Sequence, residues 1–181
     1  MSIPTTEILV IDLEATCWDN NKLEGQKNEV IEIGICVIDI ETHAIIRSET
    51  IIVTPTTSEI SEFCTQLTSI TPELIKEQGI SFYEACRKLE LIYNSKNAVF
   101  ASYGAYDKNQ MLQQCKDENV SYPFADNHIN VKQLFALHKK MRKQVGMKAA
   151  LDILNLKLEG THHRGVDDAK NIAGILLKIL K

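Results

Sequence analysis

Apolar positions in this chain follow two periods: β-rich runs dominate its first third and helical stripes most of the rest. The first run, Ile8-Leu9-Val10-Ile11, is apolar without alternation and leads straight into Asp12-Leu13-Glu14, as expected of an interior strand covered on both faces. A polar stretch from Asp19 to Asn28 reads as a loop. Two further β-rich runs, Val30 to Asp39 and Ala44 to Val53, are joined by a short polar turn and closed by Pro55. With the first strand they predict a three-stranded antiparallel meander. Glu32 interrupts the second run; it could approach the Asp12 side, and reads first as a solvated acid on an edge. Helical signals follow. Thr71-Pro72-Glu73 combines a capping hydroxyl, a first-turn proline and an acid, with Gly79 as the stop. Ser81 and Glu84 have capping-box spacing and open a helix to about Tyr93. Asn97 to Tyr103 is a buried strand stopped by Gly104, and a helix with Met111, Leu112 and Cys115 on one face starts near Asp107. After Pro123, Ile129 to Val131 is a short strand or helix entry, and Lys132–Arg142 and Met147–Leu154 read as helices. The last helix begins near Val166, with Val166, Ala169, Ile172, Ala173, Leu176, Leu177 and Leu180 on one stripe. A meander followed by alternating helices and strands predicts an α/β layered fold, a mixed central sheet flanked by helices.

Composition narrows the class. At 181 residues, with 44% hydrophobic and 24% charged positions, the chain is expected to be one domain, residues 1–181, with a single core. A net charge of −4 argues against a general double-helix binder, which needs a broad basic face, but leaves room for a local grip on a short strand. Five scattered cysteines without a CxxC pair read as reduced thiols of a cytoplasmic protein, forming neither a disulfide framework nor a zinc site. Met1 to Thr6 lacks the basic-then-apolar pattern of a signal peptide, and no apolar run is long enough for a membrane span.

Candidate chemistry starts with Asp12 and Glu14. Alternation along a strand puts both carboxylates on one face, where they repel each other and lose solvation unless a cation compensates. A hard divalent metal with oxygen ligands fits best. Asp107 and Asp168 each sit in the first turn of a predicted helix, where free N–H groups and the helix dipole favour an acid. Either could be only a helix-start residue. His163 precedes Asp168 by five positions and could face the same pocket.

These residues carry a resemblance. The chain resembles the DEDDh 3′-to-5′ exonucleases, the RNase T and proofreading-subunit superfamily: an apolar strand ending Asp12-x-Glu14, an Asp just inside a helix at Asp107, and His163-x-x-x-x-Asp168. Asp12-Leu13-Glu14-Ala15-Thr16-Cys17-Trp18, Phe63-Cys64-x-x-Leu67-Thr68-Ser69-Ile70-Thr71 and His163-Arg164-Gly165-Val166-Asp167-Asp168-Ala169-Lys170-Asn171 are similar to the Eri subgroup, which trims short structured RNAs and the end of histone messages, and to KapD-like bacterial relatives. The resemblance runs from about Glu7 to Leu180. It implies an RNase H-like fold and release of nucleoside monophosphates from the 3′ end of single-stranded nucleic acid, with RNA favoured over DNA. Two Mg²⁺ or Mn²⁺ ions about 4 Å apart would serve this chemistry. Asp12 would bridge the ions, Glu14 and Asp168 would complete one site, and Asp107 would support the other through water. His163 would be the general base, and His162, out of register with the motif, a surface or capping neighbour.

Substrate contacts implied by the resemblance are the backbone at Ala15 and Thr16, near the terminal 3′ hydroxyl, and the segment of Leu67, Thr68 and Ile70, against the terminal bases. Leu67 and Ile70 read equally well as core. Trp18 could stack a base or pack beneath the 19–28 loop. The one basic cluster, His138-Lys139-Lys140-x-Arg142-Lys143 with Lys148 beyond, is a candidate phosphate grip or a plain solvated face. A DNA-directed exonuclease and an adaptor that uses this fold to bind a protein partner remain the alternatives.

Overall fold

The computed structural model describes residues 6–19 and 24–181; residues 1–5 of the N-terminal segment and 20–23 of the polar loop lie outside them. The elements run β1 (Glu7–Ala15), β2 (Val30–Asp39), β3 (Ala44–Ile52), α1 (Glu62–Thr68), α2 (Pro72–Gln78), α3 (Phe82–Tyr93), β4 (Val99–Ser102), α4 (Tyr106–Asp117), β5 (His128–Asn130), α5 (Val131–His138), α6 (Met147–Leu154) and α7 (Gly165–Ile179). The strands form one mixed sheet in the order β3-β2-β1-β4-β5. β1, β2 and β3 pair antiparallel, which is the expected meander, while β4 joins β1 and β5 joins β4 in parallel. A parallel neighbour needs a crossover, and α1 to α3 supply the one between β3 and β4.

β1 is central because both of its faces are covered. Leu9, Ile11 and Leu13 pack with Phe82, Leu89, Phe100 and Met111 on one side of the sheet. Ile8 and Val10 pack with Ile172, Ala173 and Leu176 on the other. Each such large side chain taken fully out of water contributes about 1.5–3 kcal/mol. That is why the first run carries no polar position until Asp12.

Local signals place most helix ends. Thr71 and Ser81 cap α2 and α3 by accepting from Leu74 N and Glu84 N, and Ser81 completes its capping box with Glu84. Four details differ from the sequence reading. α1 had no predicted counterpart: it is seven residues long, too short to show a period, and rests on the Ser61 cap over Cys64 N. α5 stops at His138, and Lys140 has a φ of 53°, so the basic cluster falls mainly on a loop rather than on a helix. Leu112 is 41% exposed, outside the α4 core face. On α7, Ile175 and Ile179 are buried while Leu180 is 42% exposed, so the core face is rotated from the predicted stripe. Among the described residues, no helix is long and apolar enough to cross a membrane.

Candidate active site

Alternation sends Asp12 and Glu14 out of β1 on the face covered by α7. Across the ladder they stand opposite Gly34 and Glu32 of β2. Gly34 is a packing requirement. A Cβ there would fall 1.9 Å from the carbonyl carbon of Gly165, so the first turn of α7 lies backbone against backbone on the sheet. A Cβ on Gly165 would in turn come within 3.0 Å of the Asp12 carbonyl oxygen.

Asp107 arrives from the other edge of β1. The parallel pairing with β4 ends at Val10–Ala101, and the chain turns through Gly104, at a φ of 122°, into α4. Leu13 N–H, past the end of that ladder, donates to Asp107 Oδ1 at 3.0 Å. This bond fixes the α4 acid beside the β1 acids.

Asp168 is 3% exposed on the first turn of α7. Its Oδ2 accepts the His163 backbone N–H at 2.9 Å and lies 2.9 Å from His162 Nδ1. Holding that backbone bond puts His163 in the left-handed region, at a φ of 66°. The two imidazoles stack with centroids 4.0 Å apart and planes 19° apart, and both line the cavity. His162 is exposed, as expected of a surface neighbour, and in addition sets its Nδ1 against Asp168.

Asp12, Glu14, Asp107, Asp168 and the two histidines share one cavity of about 340 Å³, with Leu67, Tyr106 and Met147 in its wall. Its electrostatics are those of uncompensated anions. Burial, then Asp107 and Glu14, hold the Asp12 carboxyl well above its usual range. Burial and the neighbouring Glu32 push Glu14 up to about 8. Burial pushes Asp107 up to about 6, against the lowering effect of its backbone hydrogen bonds. Carboxylate oxygens of Asp12, Glu14 and Asp168 lie within 4.8 Å of one another, as do ligand atoms of His162, His163 and Asp168. An all-oxygen set in which burial and neighbouring anions disfavour the ionised forms of Asp12 and Glu14 fits a hard divalent cation, which would restore them.

The residues named for substrate contact divide. Ala15 and Leu67 line the cavity, and Leu67 is 37% exposed. Thr68 and Ile70 do not reach it. Both are fully buried: Thr68 Oγ1 donates to Cys64 O at 2.8 Å, and Ile70 packs with Ile31, Ile52, Cys64 and Ile75. Thr16 is also fully buried; its N–H donates to Glu29 O, its carbonyl accepts from Asn28, and its hydroxyl bridges Lys27 O and Glu29 N. It pins the strand exit and offers no group to the cavity. Trp18 lines a separate cavity beside Phe63 and Gln66. The Lys148 side chain is 70% exposed and pairs with Asp152 at 3.5 Å, outside the cavity that its neighbour Met147 lines. Sequence reasoning missed Tyr106 and Met147. The usable signal for Tyr106 was an aromatic residue directly before the helix-start acid.

The deciding comparison is with family models: the exonuclease model, RNase T, matches residues 9–176. The chain belongs to this exonuclease family. Within it the chain is of the DEDDh, Eri type. It is 31% identical to 3′-5′ exoribonuclease 1 of Rattus norvegicus, over 96% of this chain and 53% of the relative. It is 26% identical to ERI1 exoribonuclease 2 of Homo sapiens, over 96% of this chain and 28% of the relative. This exonuclease chain thus spans about half the length or less of these curated relatives. The solved nuclease domain of 3′hExo, a DEDDh family member bound to rAMP, superposes with a TM-score of 0.88 at 28% identity, covering 97% of this chain and 92% of that one. A 3′-exonuclease solved for 3′-end recognition of a histone mRNA stem-loop gives 0.87 at 28% identity, covering 97% and 63%. The expected RNase H-like exonuclease fold is thereby confirmed.

Proposed function

We propose that the chain is a metal-dependent 3′-to-5′ exonuclease that removes nucleoside monophosphates from single-stranded nucleic acid, RNA in preference to DNA. The observation that carries the reading is the convergence of four carboxylates from β1, α4 and α7 with His163 in one cavity open to solvent. The substrate preference draws on the relatives, which are named exoribonucleases.

Asp12, Glu14 and Asp168 would hold a divalent ion and Asp107 would support a second; when bound, such a pair supplies an activated water and stabilises charge on the leaving oxygen. His163 takes the proton of the attacking water on a ring nitrogen. Burial and the adjacent His162 hold its imidazole below the usual range, so the ring is neutral and ready to accept at neutral pH. Asp168 keeps that ring in place through the His163 backbone N–H. Leu67 and the half-exposed Tyr106 offer an apolar wall for the terminal base. The exposed loop through Lys139, Lys140, Arg142 and Lys143 leads to Val145, whose carbonyl accepts at 3.0 Å from the Oη of Tyr103, a residue that lines the cavity. It is the natural course for phosphates upstream of the scissile bond.

The test is incubation of 5′-labelled RNA and DNA oligomers with Mg²⁺, Mn²⁺ or chelator, beside Asp12→Ala. A metal-dependent ladder shortening from the 3′ end, faster on RNA and absent in the variant, is the expected result. Undiminished shortening by a folded Asp12→Ala protein would overturn the assignment.

A further inference from the structure

α7 has an unusual beginning. Its N-cap position, Arg164, has an extended backbone and provides no side-chain cap, although the helix presents Asp168 and follows directly on His163. The cap comes from across the sheet. Glu32 of β2, wholly buried where a solvated edge was expected, accepts the Gly165 N–H at 2.9 Å. The same carboxylate accepts from Arg164 Nε at 3.2 Å, from Arg164 Nη2 at 3.4 Å and from Thr50 Oγ1 at 3.1 Å. Its lone pairs are fully used within the protein. It also stands beside Glu14 in the ladder, adding a fifth anion to a neighbourhood already crowded with Asp12, Glu14, Asp107 and Asp168.

Stability alone does not account for this arrangement. An apolar pair of similar volume in place of a buried ion pair is often neutral or stabilising, and here the extra anion raises the cost of charging its neighbours. What the ion pair adds is position. His163 is tied through its N–H to Asp168, and Arg164 and Gly165 are tied to Glu32, so the three-residue entry to α7 is anchored at both ends. The close Gly34–Gly165 contact leaves that entry little room to slide.

We propose that Glu32 and Arg164 are a positioning pair: Glu32 caps α7 across the sheet and, with Arg164, sets where His163 and Asp168 stand relative to Asp12. The inference rests on the exonuclease reading for its kinetic consequence, while its effect on metal affinity is independent of cleavage. Misplacing reacting groups by about 1 Å can lower a rate about 100-fold, and loss of outer partners of metal-site residues costs about 10–100-fold.

The experiment compares wild type, Glu32→Gln, Arg164→Lys and the double variant Glu32→Leu/Arg164→Met. For each, kcat and KM on 5′-labelled RNA, melting temperature, and Mn²⁺ affinity by calorimetry on the whole chain are measured. Expected for Glu32→Gln is a kcat about 10–100-fold lower, with KM within about threefold. The double variant should melt at or above the wild-type temperature yet lose kcat and Mn²⁺ affinity to the same extent. Arg164→Lys, which keeps the charge but loses the fork, should show a smaller loss in the same direction. Wild-type kcat and Mn²⁺ affinity in the folded double variant would overturn the proposal, as would an effect confined to melting temperature. If Glu32→Gln fails to fold, the double variant and Arg164→Lys decide. A wild type that binds Mn²⁺ but cuts nothing would defeat the exonuclease reading and leave the affinity comparison to judge this one. A wild type that binds no Mn²⁺ and cuts nothing would overturn both.

Discussion

Replacing Gly34 with alanine tests the geometry of the site without touching any group that carries chemistry. The added Cβ would meet Gly165 C at 1.9 Å, Gly165 O at 2.1 Å and Val166 N at 2.2 Å. Ordinary contact begins at 3.4 Å, so the first turn of α7 must retreat by about 1.5 Å. All three obstacles are backbone atoms, which cannot rotate aside as a side chain would. Overpacking of this kind costs about 1–3 kcal/mol, and more where the neighbour is rigid. In a chain of this size each kcal/mol lowers the melting temperature by about 2–4 °C. The larger consequence is catalytic, because His163 and Asp168 ride on the displaced turn while Asp12 and Glu14 stay on the sheet. A displacement above about 1 Å predicts at least a 100-fold loss in kcat. Gly165→Ala is the graded companion. Its nearest neighbours lie at 3.0 Å, so the turn needs to yield only about 0.4 Å, and the loss should be several-fold smaller. Single-turnover cleavage of labelled RNA, measured well below each variant's melting temperature and scaled to folded protein, reads the effect. Wild-type kcat in folded Gly34→Ala would refute the argument that the glycine contact sets the site.

The remaining predictions concern charge and the cavity wall. His163→Ala should lower kcat about 10²–10⁴-fold, and His162→Ala less than about tenfold; the reverse order in steady-state assays would move the base to His162. Because the His163 imidazole is held below its usual range, the acid limb of the wild-type rate profile should lie below pH 6.5, where a limb above that value would contradict the placement. In chelator, Glu14 and Asp107 have native pKa values raised to about 8 and about 6, so their contribution to stability is complete below the ordinary carboxylate range and disappears as pH rises through those values. The melting temperature should therefore fall from about pH 5 to about pH 8.5 in chelator, and saturating Mn²⁺ should remove most of that fall; a rising profile in chelator would sink the account. Tyr106→Ala should raise KM by the equivalent of about 1–3 kcal/mol, the worth of one stacked base, whereas Ile70→Ala should cost about 2–5 kcal/mol of stability with little change in KM per folded molecule. Equal effects of the two on KM, read from the same titration, would mean that the wall has been drawn in the wrong place.

Local patterns in the chain were enough to determine the three-stranded meander, the interior standing of β1, the capped starts of α2 and α3, and the shared face of Asp12 and Glu14. Each follows from forces acting between residues a few positions apart: alternation along a strand, the period of a helix, a hydroxyl over a free N–H. The motif residues could also be named from the sequence, because their spacing is legible without a fold. Which polar groups face one another was decided only by tertiary structure. Glu32 looked solvated and is wholly buried, because Gly165 and Arg164, more than 130 positions away, bring it the donors a buried carboxylate needs. His162 is exposed as its position suggested, but its Nδ1 also lies 2.9 Å from the Asp168 carboxylate six positions on, a contact that spacing alone did not show. Thr16 and Thr68 looked available to a substrate and are buried, Thr16 bonded to the 27–29 segment and Thr68 back to Cys64 O, while Ile70, which read equally well as core, is core, packed with Ile31, Ile52, Cys64 and Ile75. Burial and partnership at these positions are properties of distant elements meeting, and no local window of sequence contains both sides of such a contact.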